Sequence, residues 1–228
     1  MNATTIPWGR LAPIAVCAAL AIAGAYGTGA PWLHYVFKPA TTLALAALVY
    51  TATAVERGYR PAILAGLLLS TLGDVFLMLP GDRFVFGLAS FLCAHVAYLF
   101  ALSRRAPLFA RRWPFALYGA FGAAVFGVLW PDLPAGLHAP VGVYVAVLAV
   151  MAAQALVVWR VRPDAATASA ALGGAFFVAS DATLAIDRFV APFDGARFVV
   201  LTTYWIAQAL IALSVVRAPS PDVREKAA

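Results

Sequence analysis

Charge is scarce in this chain. Of its 228 residues only 11% are charged, whereas 64% are hydrophobic. A soluble domain carries about 25% charged and about 45–50% apolar residues. That shortage excludes an ordinary water-soluble globule. Cysteine is nearly absent as well: Cys17 and Cys93 both lie in apolar runs and match neither a disulfide framework nor a metal-binding pair. Also missing are a glycine-rich phosphate loop after a strand, a CxxCH haem attachment and a serine nucleophile elbow, so no cofactor is expected. The net charge of +6 sits in short loops between apolar runs, a pattern that sets membrane orientation, and no nucleic-acid partner is expected.

What the chain does contain is long apolar runs. Eight segments, near 11–27, 35–54, 61–80, 84–103, 113–130, 138–159, 167–186 and 198–216, have the roughly 17–25 residues needed to cross a hydrocarbon core. The predicted fold class is all-α: a polytopic integral membrane protein whose eight transmembrane helices form one domain over 1–216, followed by a short cytoplasmic tail, 217–228. Trp8, Trp32, Trp113, Trp130 and Trp159 fall at segment ends as interfacial anchors. Pro61 and Pro114 fall in first turns, where a missing N–H costs nothing. The first run, preceded by Arg10, has some features of a cleaved leader but is read as a span.

Orientation follows from the basic residues. Arg10, Arg57, Arg60, Arg104, Arg105, Arg111, Arg112, Arg160, Arg162, Arg217, Arg224 and Lys226 share one side; Arg83, Arg188 and Arg197 lie on the other. The richer side is expected in the cytoplasm, together with both termini. Segments three and seven also resemble each other: GLLLSTLGDVFLMLPGDRF and GGAFFVASDATLAIDRF each place an Asp in the last third and end in Asp-Arg-Phe. Both run outward, which suggests a parallel repeat of four helices plus four.

Only Lys38, Asp74 and Asp181 bring charge into the proposed spans. An ionised side chain in hydrocarbon costs at least a few kcal/mol, so such residues face the bundle interior with partners. Asp74 lies six residues before Pro80 and Asp181 six before Asp187, each about 9 Å below its helix end at 1.5 Å per residue. Tyr144 and Tyr204 reach a similar level in the outer leaflet, Lys38 enters near the same edge, and His95 and Gln208 lie deeper. Helical spacing groups Lys38 with Thr41 and Thr42, Ser70 and Thr71 with Asp74, His95 with Tyr98, and Tyr204 with Gln208. Six helices thus converge polar groups on one zone open to the outer face.

The stretches FKPATTLALAAL (37–48), GLLLSTLGDVFLML (66–79), FLCAHVAYLF (91–100), GAFFVASDATLAIDRF (174–189) and TTYWIAQALIALS (202–214) resemble, in order, the YhhN-like lysoplasmalogenase family of integral membrane proteins. The resemblance implies eight transmembrane helices and hydrolysis of the vinyl ether bond of a lysoplasmalogen. The substrate partner would be a lysophospholipid, and the products a fatty aldehyde and a glycerophospho-headgroup. Matched position by position, the family's recurring polar residues are Lys38, Asp74, His95, Tyr98, Tyr144, Ser180, Asp181, Tyr204 and Gln208.

The chemistry suits these residues. A vinyl ether is stable to base and labile to acid: protonation of its β-carbon gives an oxocarbenium ion that water captures, and the hemiacetal collapses to aldehyde. Burial and a neighbouring carboxylate both favour the protonated form of a carboxyl, and carboxylate pairs divide acid and charge-stabilising roles in this way. Asp74 and Asp181 are therefore the expected pair. Lys38 is expected at the mouth as a phosphate ligand, with His95, Tyr144, Tyr204 and Gln208 placing water or the glycerol backbone. Three other readings stay open. His95 with both Asp could hold zinc, although catalytic zinc usually has three protein ligands and no short spacing motif supports it. Buried charges with Gly66, Gly73, Gly173 and Gly174 also fit a transporter with broken helices. A scaffold would use the same polar residues merely to pin helices together.

Overall fold

The computed structural model describes residues 8–26, 29–52 and 58–216. The tail 217–228, the last positions of the first two apolar runs, and Arg57, Arg217, Arg224 and Lys226 lie outside the described residues. The described residues form eight α-helices and no strand: α1 Trp8–Ala25, α2 Trp32–Tyr50, α3 Tyr59–Met78, α4 Phe84–Ser103, α5 Trp113–Leu129, α6 His138–Val161, α7 Ala165–Phe189 and α8 Ala196–Val216. A single 3₁₀ turn, Ala135–Leu137, leads into α6.

Helices are the physical solution for such a sequence, because lipid offers no partner to an unpaired backbone N–H or C=O. By length and composition alone, six of the helices can cross a membrane. The exceptions are α5, with only 17 residues, and α2, whose apolar character is diluted by His34, Lys38, Pro39, Thr41 and Thr42. Both pack into the same bundle: α2 lies against α1, α3 and α8, and α5 against α6 and α7. The protein is a multi-pass membrane bundle. Its surface confirms the solvent: Leu43, Leu68, Val96, Phe100, Leu117 and Leu172 stand exposed, and Trp8, Trp32, Trp113 and Trp130 ring the helix ends.

Inside the bundle the helices have no hydrophobic drive toward one another beyond what lipid already satisfies, so close packing and interhelical hydrogen bonds hold them. The glycines do that work. A methyl on Gly66 would sit 2.1 Å from the Tyr98 ring, and one on Gly173 3.0 Å from the Ala207 carbonyl oxygen. Gly66 and Gly73 lie within α3, and Gly173 and Gly174 within α7, so these glycines bring helices together rather than breaking them. Asp164 caps α7 reciprocally with Thr167: the Thr167 N–H donates to Asp164 Oδ1 at 2.7 Å, and the Asp164 N–H to Thr167 Oγ1 at 3.1 Å.

Basic residues separate by end. At one end Arg10 donates to Thr51, Arg60 to the Ala52 carbonyl, Arg162 to the Arg105 carbonyl and Arg105 to the Ser214 carbonyl. At the other, Arg188 clamps Asp82 through two contacts of 2.8 Å and lies 4.2 Å over the Phe84 ring, tying the α3–α4 turn to the end of α7. The Asp82 carboxyl is held below the usual carboxylate range, first by the Phe84 N–H and then by Arg188. Arg197 bonds the Ala25 carbonyl at 2.8 Å, tying α8 to α1.

Candidate active site

The second of these ends opens into a cavity of about 630 Å³, a volume within the range of small-molecule sites. Lys38, Asp74, Tyr144, Ser180, Asp181 and Tyr204 line it. The two carboxylates do not share partners; each hangs in its own network.

Asp74, on α3, is almost closed off, its side chain 2% exposed. Thr42 of α2 donates to Oδ2 at 3.0 Å and Tyr204 of α8 to the same oxygen at 2.7 Å, while the Lys38 ammonium stands 3.6 Å from Oδ1. Lys38 is itself buried. It is placed there by α2, whose Pro39 lacks the N–H that would bond the Tyr35 carbonyl one turn back. Lys38 thus does not stand free at the mouth, where the sequence suggested it; its charge is committed to Asp74. Both ions lose water, and the geometry returns part of that cost only because three donors converge on one carboxylate.

Asp181, on α7, is more open, with 16% of its side chain exposed. Tyr144 of α6 donates a short hydrogen bond to Oδ2. His95 of α4 places Nε2 3.0 Å from the Tyr144 hydroxyl and 3.5 Å from Asp181 Oδ2. The His95 ring is fully buried and wedged edge-on against Phe177, 4.8 Å between centroids, so its position is set by packing. With Asp181 ionised, the Tyr144 proton goes to the carboxylate and the phenol oxygen accepts from His95 Nε2–H. His95, Tyr144 and Asp181 are thus joined in one hydrogen-bonded chain that runs from the buried imidazole to the cavity.

The two networks correspond. Asp74 on α3 is served from α2 and α8; Asp181 on α7 is served from α6 and α4. Advancing each helix of the first set by four in cyclic order yields the second.

Other expected site residues lie elsewhere. Tyr98 donates to Gln208 Oε1 at 2.8 Å and stands 3.5 Å from Ser70, forming a buried link between α3, α4 and α8 beneath the cavity. Ser180 lines the cavity, yet its hydroxyl donates to the Val200 carbonyl at 3.1 Å and pins α7 to α8. Among the described residues, no three His, Cys, Asp or Glu side chains gather as a metal-ligand set. Two features were not read from the sequence as parts of a site. Arg197 lines the mouth, and an α5 stripe (Tyr118, Phe121, Gly122, Val125 and Leu129) lines one wall. Arg197 had shown only as an outer-side charge, and the stripe looks like any apolar helix face.

Comparison with known proteins bears on what this cavity serves. The YhhN family profile matches residues 33–215. The chain belongs to the YhhN family. Its relatives include lysoplasmalogenase TMEM86A of Bos taurus, 34% identical over 167 residues that cover 70% of this chain and 67% of the relative. Human lysoplasmalogenase TMEM86B is 32% identical over 196 residues, covering 83% and 78% respectively. The membrane protein YhhN of Escherichia coli O157:H7 is 28% identical over 205 residues, covering 89% and 97%. No solved structure matches the chain.

Proposed function

We propose that this YhhN-family protein is a lysoplasmalogenase-like ether hydrolase, which cleaves the vinyl ether of an alkenyl lysophospholipid to a fatty aldehyde and a glycerophospho-headgroup. One observation carries the reading: a cation, a hydrogen-bonded carboxyl and an apolar wall line one cavity. By position along the helices, Arg197 opens α8 at the mouth, Asp181 lies further down α7 beside Tyr144, and the α5 stripe runs from the mouth down past them to Tyr118. A lysoplasmalogen has the same order: phosphate, glycerol with its vinyl ether, hydrocarbon chain. The names of the mammalian relatives point to the same reaction.

In the mechanism, neutral Asp181 gives its proton to the β-carbon of the vinyl ether, and the double-bond electrons form the new C–H bond. The resulting oxocarbenium ion faces the Asp181 carboxylate. Water adds to the cationic carbon as its proton passes to Asp181, giving a hemiacetal. The hemiacetal hydroxyl then loses its proton, the C–O bond to glycerol breaks, and the departing glycerol oxygen takes a proton. The sum is substrate plus water to aldehyde plus glycerophospho-headgroup, with Asp181 protonated again. Tyr144 and His95 hold Asp181 in place and return the proton between steps. General acid–base groups of this kind contribute about 10²–10⁴-fold. Asp74, tied up by Lys38, Thr42 and Tyr204, anchors α2, α3 and α8 around the site. The helix-by-helix correspondence of the networks supports a parallel four-plus-four repeat in which one Asp anchors and the other reacts. The separation of basic residues by end supports cytoplasmic termini and a cavity facing outward from the cytoplasmic membrane.

Detergent-purified protein incubated with alkenyl lysophosphatidylethanolamine is expected to release free fatty aldehyde, detected by mass spectrometry. A folded preparation that releases none overturns the reading, and coupled ion flux in its place would make the protein a transporter. Arg188 is committed to the Asp82 carboxylate, whereas Arg197 bonds only the neutral Ala25 carbonyl through Nη1 and keeps its charge and its other N–H groups for the substrate phosphate. Arg197→Ala is expected to raise KM by up to about tenfold, from loss of a charge-assisted hydrogen bond, with kcat nearly unchanged. Steady-state kinetics in proteoliposomes check this; an unchanged KM removes Arg197 from the headgroup site.

A further inference from the structure

We propose that the apolar arm of the cavity between α5 and α6 holds the substrate's alkenyl chain, and that Tyr118 and Val145 set the chain length it accepts. The inference rests on the vinyl-ether reading for the identity of its occupant and on geometry for the rest. On α5 the cavity-lining residues are Tyr118, Phe121, Gly122, Val125 and Leu129, spaced three and four apart along one face. Leu129 lies at the end of α5 that shares the cavity mouth, so the stripe descends about 16 Å to Tyr118, at 1.5 Å per residue over eleven residues. The facing stripe on α6 is Val141, Tyr144, Val145, Leu148 and Ala149. It carries the reacting group's partner, Tyr144, near its top and only aliphatic side chains below. A chain leaving the vinyl carbon at Asp181 therefore enters a slot walled by hydrocarbon on both sides.

Two residues bound that slot. Gly122 lets the helices approach until a methyl on it would lie 3.0 Å from Val145 Cγ1, so Val145 stands where α5 and α6 close in on each other beside the cavity. Tyr118, half-buried, is the deepest α5 residue in the lining and brings the one hydroxyl to the lower arm. On the α5 stripe Phe121 is exposed and Tyr118 half-buried, so one flank of the slot borders lipid, the source from which a single-chain lipid would arrive.

The test compares wild type, Val145→Phe and Tyr118→Ala on alkenyl lysophosphatidylethanolamines with dodecenyl and octadecenyl chains. A parallel arm measures binding of the saturated alkyl-ether analogues of the same two lengths by native mass spectrometry, which needs no turnover. Val145→Phe narrows the slot and is expected to lower kcat/KM and binding for the long chain by about tenfold or more relative to the short one. Tyr118→Ala opens the floor and is expected to shift the preference toward the long chain. If Val145→Phe does not fold, Tyr118→Ala decides alone, since removal of a half-buried side chain at the lipid flank leaves the bundle contacts in place. Parallel changes for both lengths, or none, overturn the proposal while wild-type aldehyde release leaves the hydrolase reading standing. Length-dependent shifts in binding without turnover by the wild type support the slot and overturn the reaction. Absence of both overturns both.

Discussion

Replacing Asp181 with Asn is expected to lower aldehyde release by about 10³-fold or more, within the range that general acid–base groups supply, while the thermal unfolding of the purified protein changes little. The activity loss follows from chemistry. Asn keeps the shape and still accepts a hydrogen bond from Tyr144, but it has no proton to give to carbon. The stability result follows from geometry. Asp181 lies open to the cavity, with 16% of its side chain exposed, and no lysine or arginine is buried against it; the nearest buried nitrogen is His95 Nε2, at 3.5 Å. The neighbouring His95 remains wedged against Phe177. Removing the charge strands no lysine or arginine, and His95 keeps its contact with Tyr144; a scaffold in which the polar residues only pin helices predicts the reverse pattern. Turnover of Asp181→Asn near the wild-type rate would place the acid elsewhere and end the proposed mechanism. Product mass spectrometry, with unfolding followed on the same preparations, reads both quantities.

Replacing Lys38 with Met is expected to produce the largest stability loss of any single change in the site, about 3–5 kcal/mol, the typical cost of leaving one partner of a buried ion pair alone. The Asp74 side chain is 2% exposed and that of Lys38 9%, so little water reaches the carboxylate to compensate for the missing ammonium. Thr42 and Tyr204 would still donate, but two neutral hydroxyls do not balance a carboxylate in a membrane interior. Adding Asp74→Asn removes the stranded charge and is expected to recover much of the loss. The double-mutant cycle should therefore show a coupling of about 1–3 kcal/mol, measured by unfolding in detergent or mixed micelles. A Lys38→Met protein that unfolds like wild type and loses only its affinity for phosphate-bearing lipids would return Lys38 to the headgroup role that its place near a helix entrance suggested.

That difference in Lys38 shows where a linear reading stops. Depth along each helix was legible, because 1.5 Å per residue converts sequence number into height. It put Asp74, Asp181, Tyr144 and Tyr204 near one level, and all four line the cavity. Which donor faces which acceptor was not legible, because that depends on the rotation and neighbourhood of each helix. Tyr98 and Gln208 illustrate the point. Their spacing placed them with His95 and Tyr204, yet they bond each other beneath the cavity. Arg197 was hidden for a different reason: in sequence it is an ordinary loop-proximal arginine, and only the fold of α8 against α1 brings it over the mouth.

By itself the sequence determined the solvent and the helices, since runs of apolar residues this long are stable only where lipid surrounds them and every backbone group is paired within its own helix. It also determined that Lys38, Asp74 and Asp181 must face inward, because hydrocarbon does not tolerate an exposed charge. Tertiary structure alone decided that the two aspartates serve separate networks, one closed by a lysine and one open beside a tyrosine and a histidine. It likewise decided that α5, with no charge of its own within its span, walls the cavity. Pairing between helices distant in sequence is a property of three-dimensional packing, where the same apolar stripe serves equally well against lipid, a neighbouring helix or a bound chain.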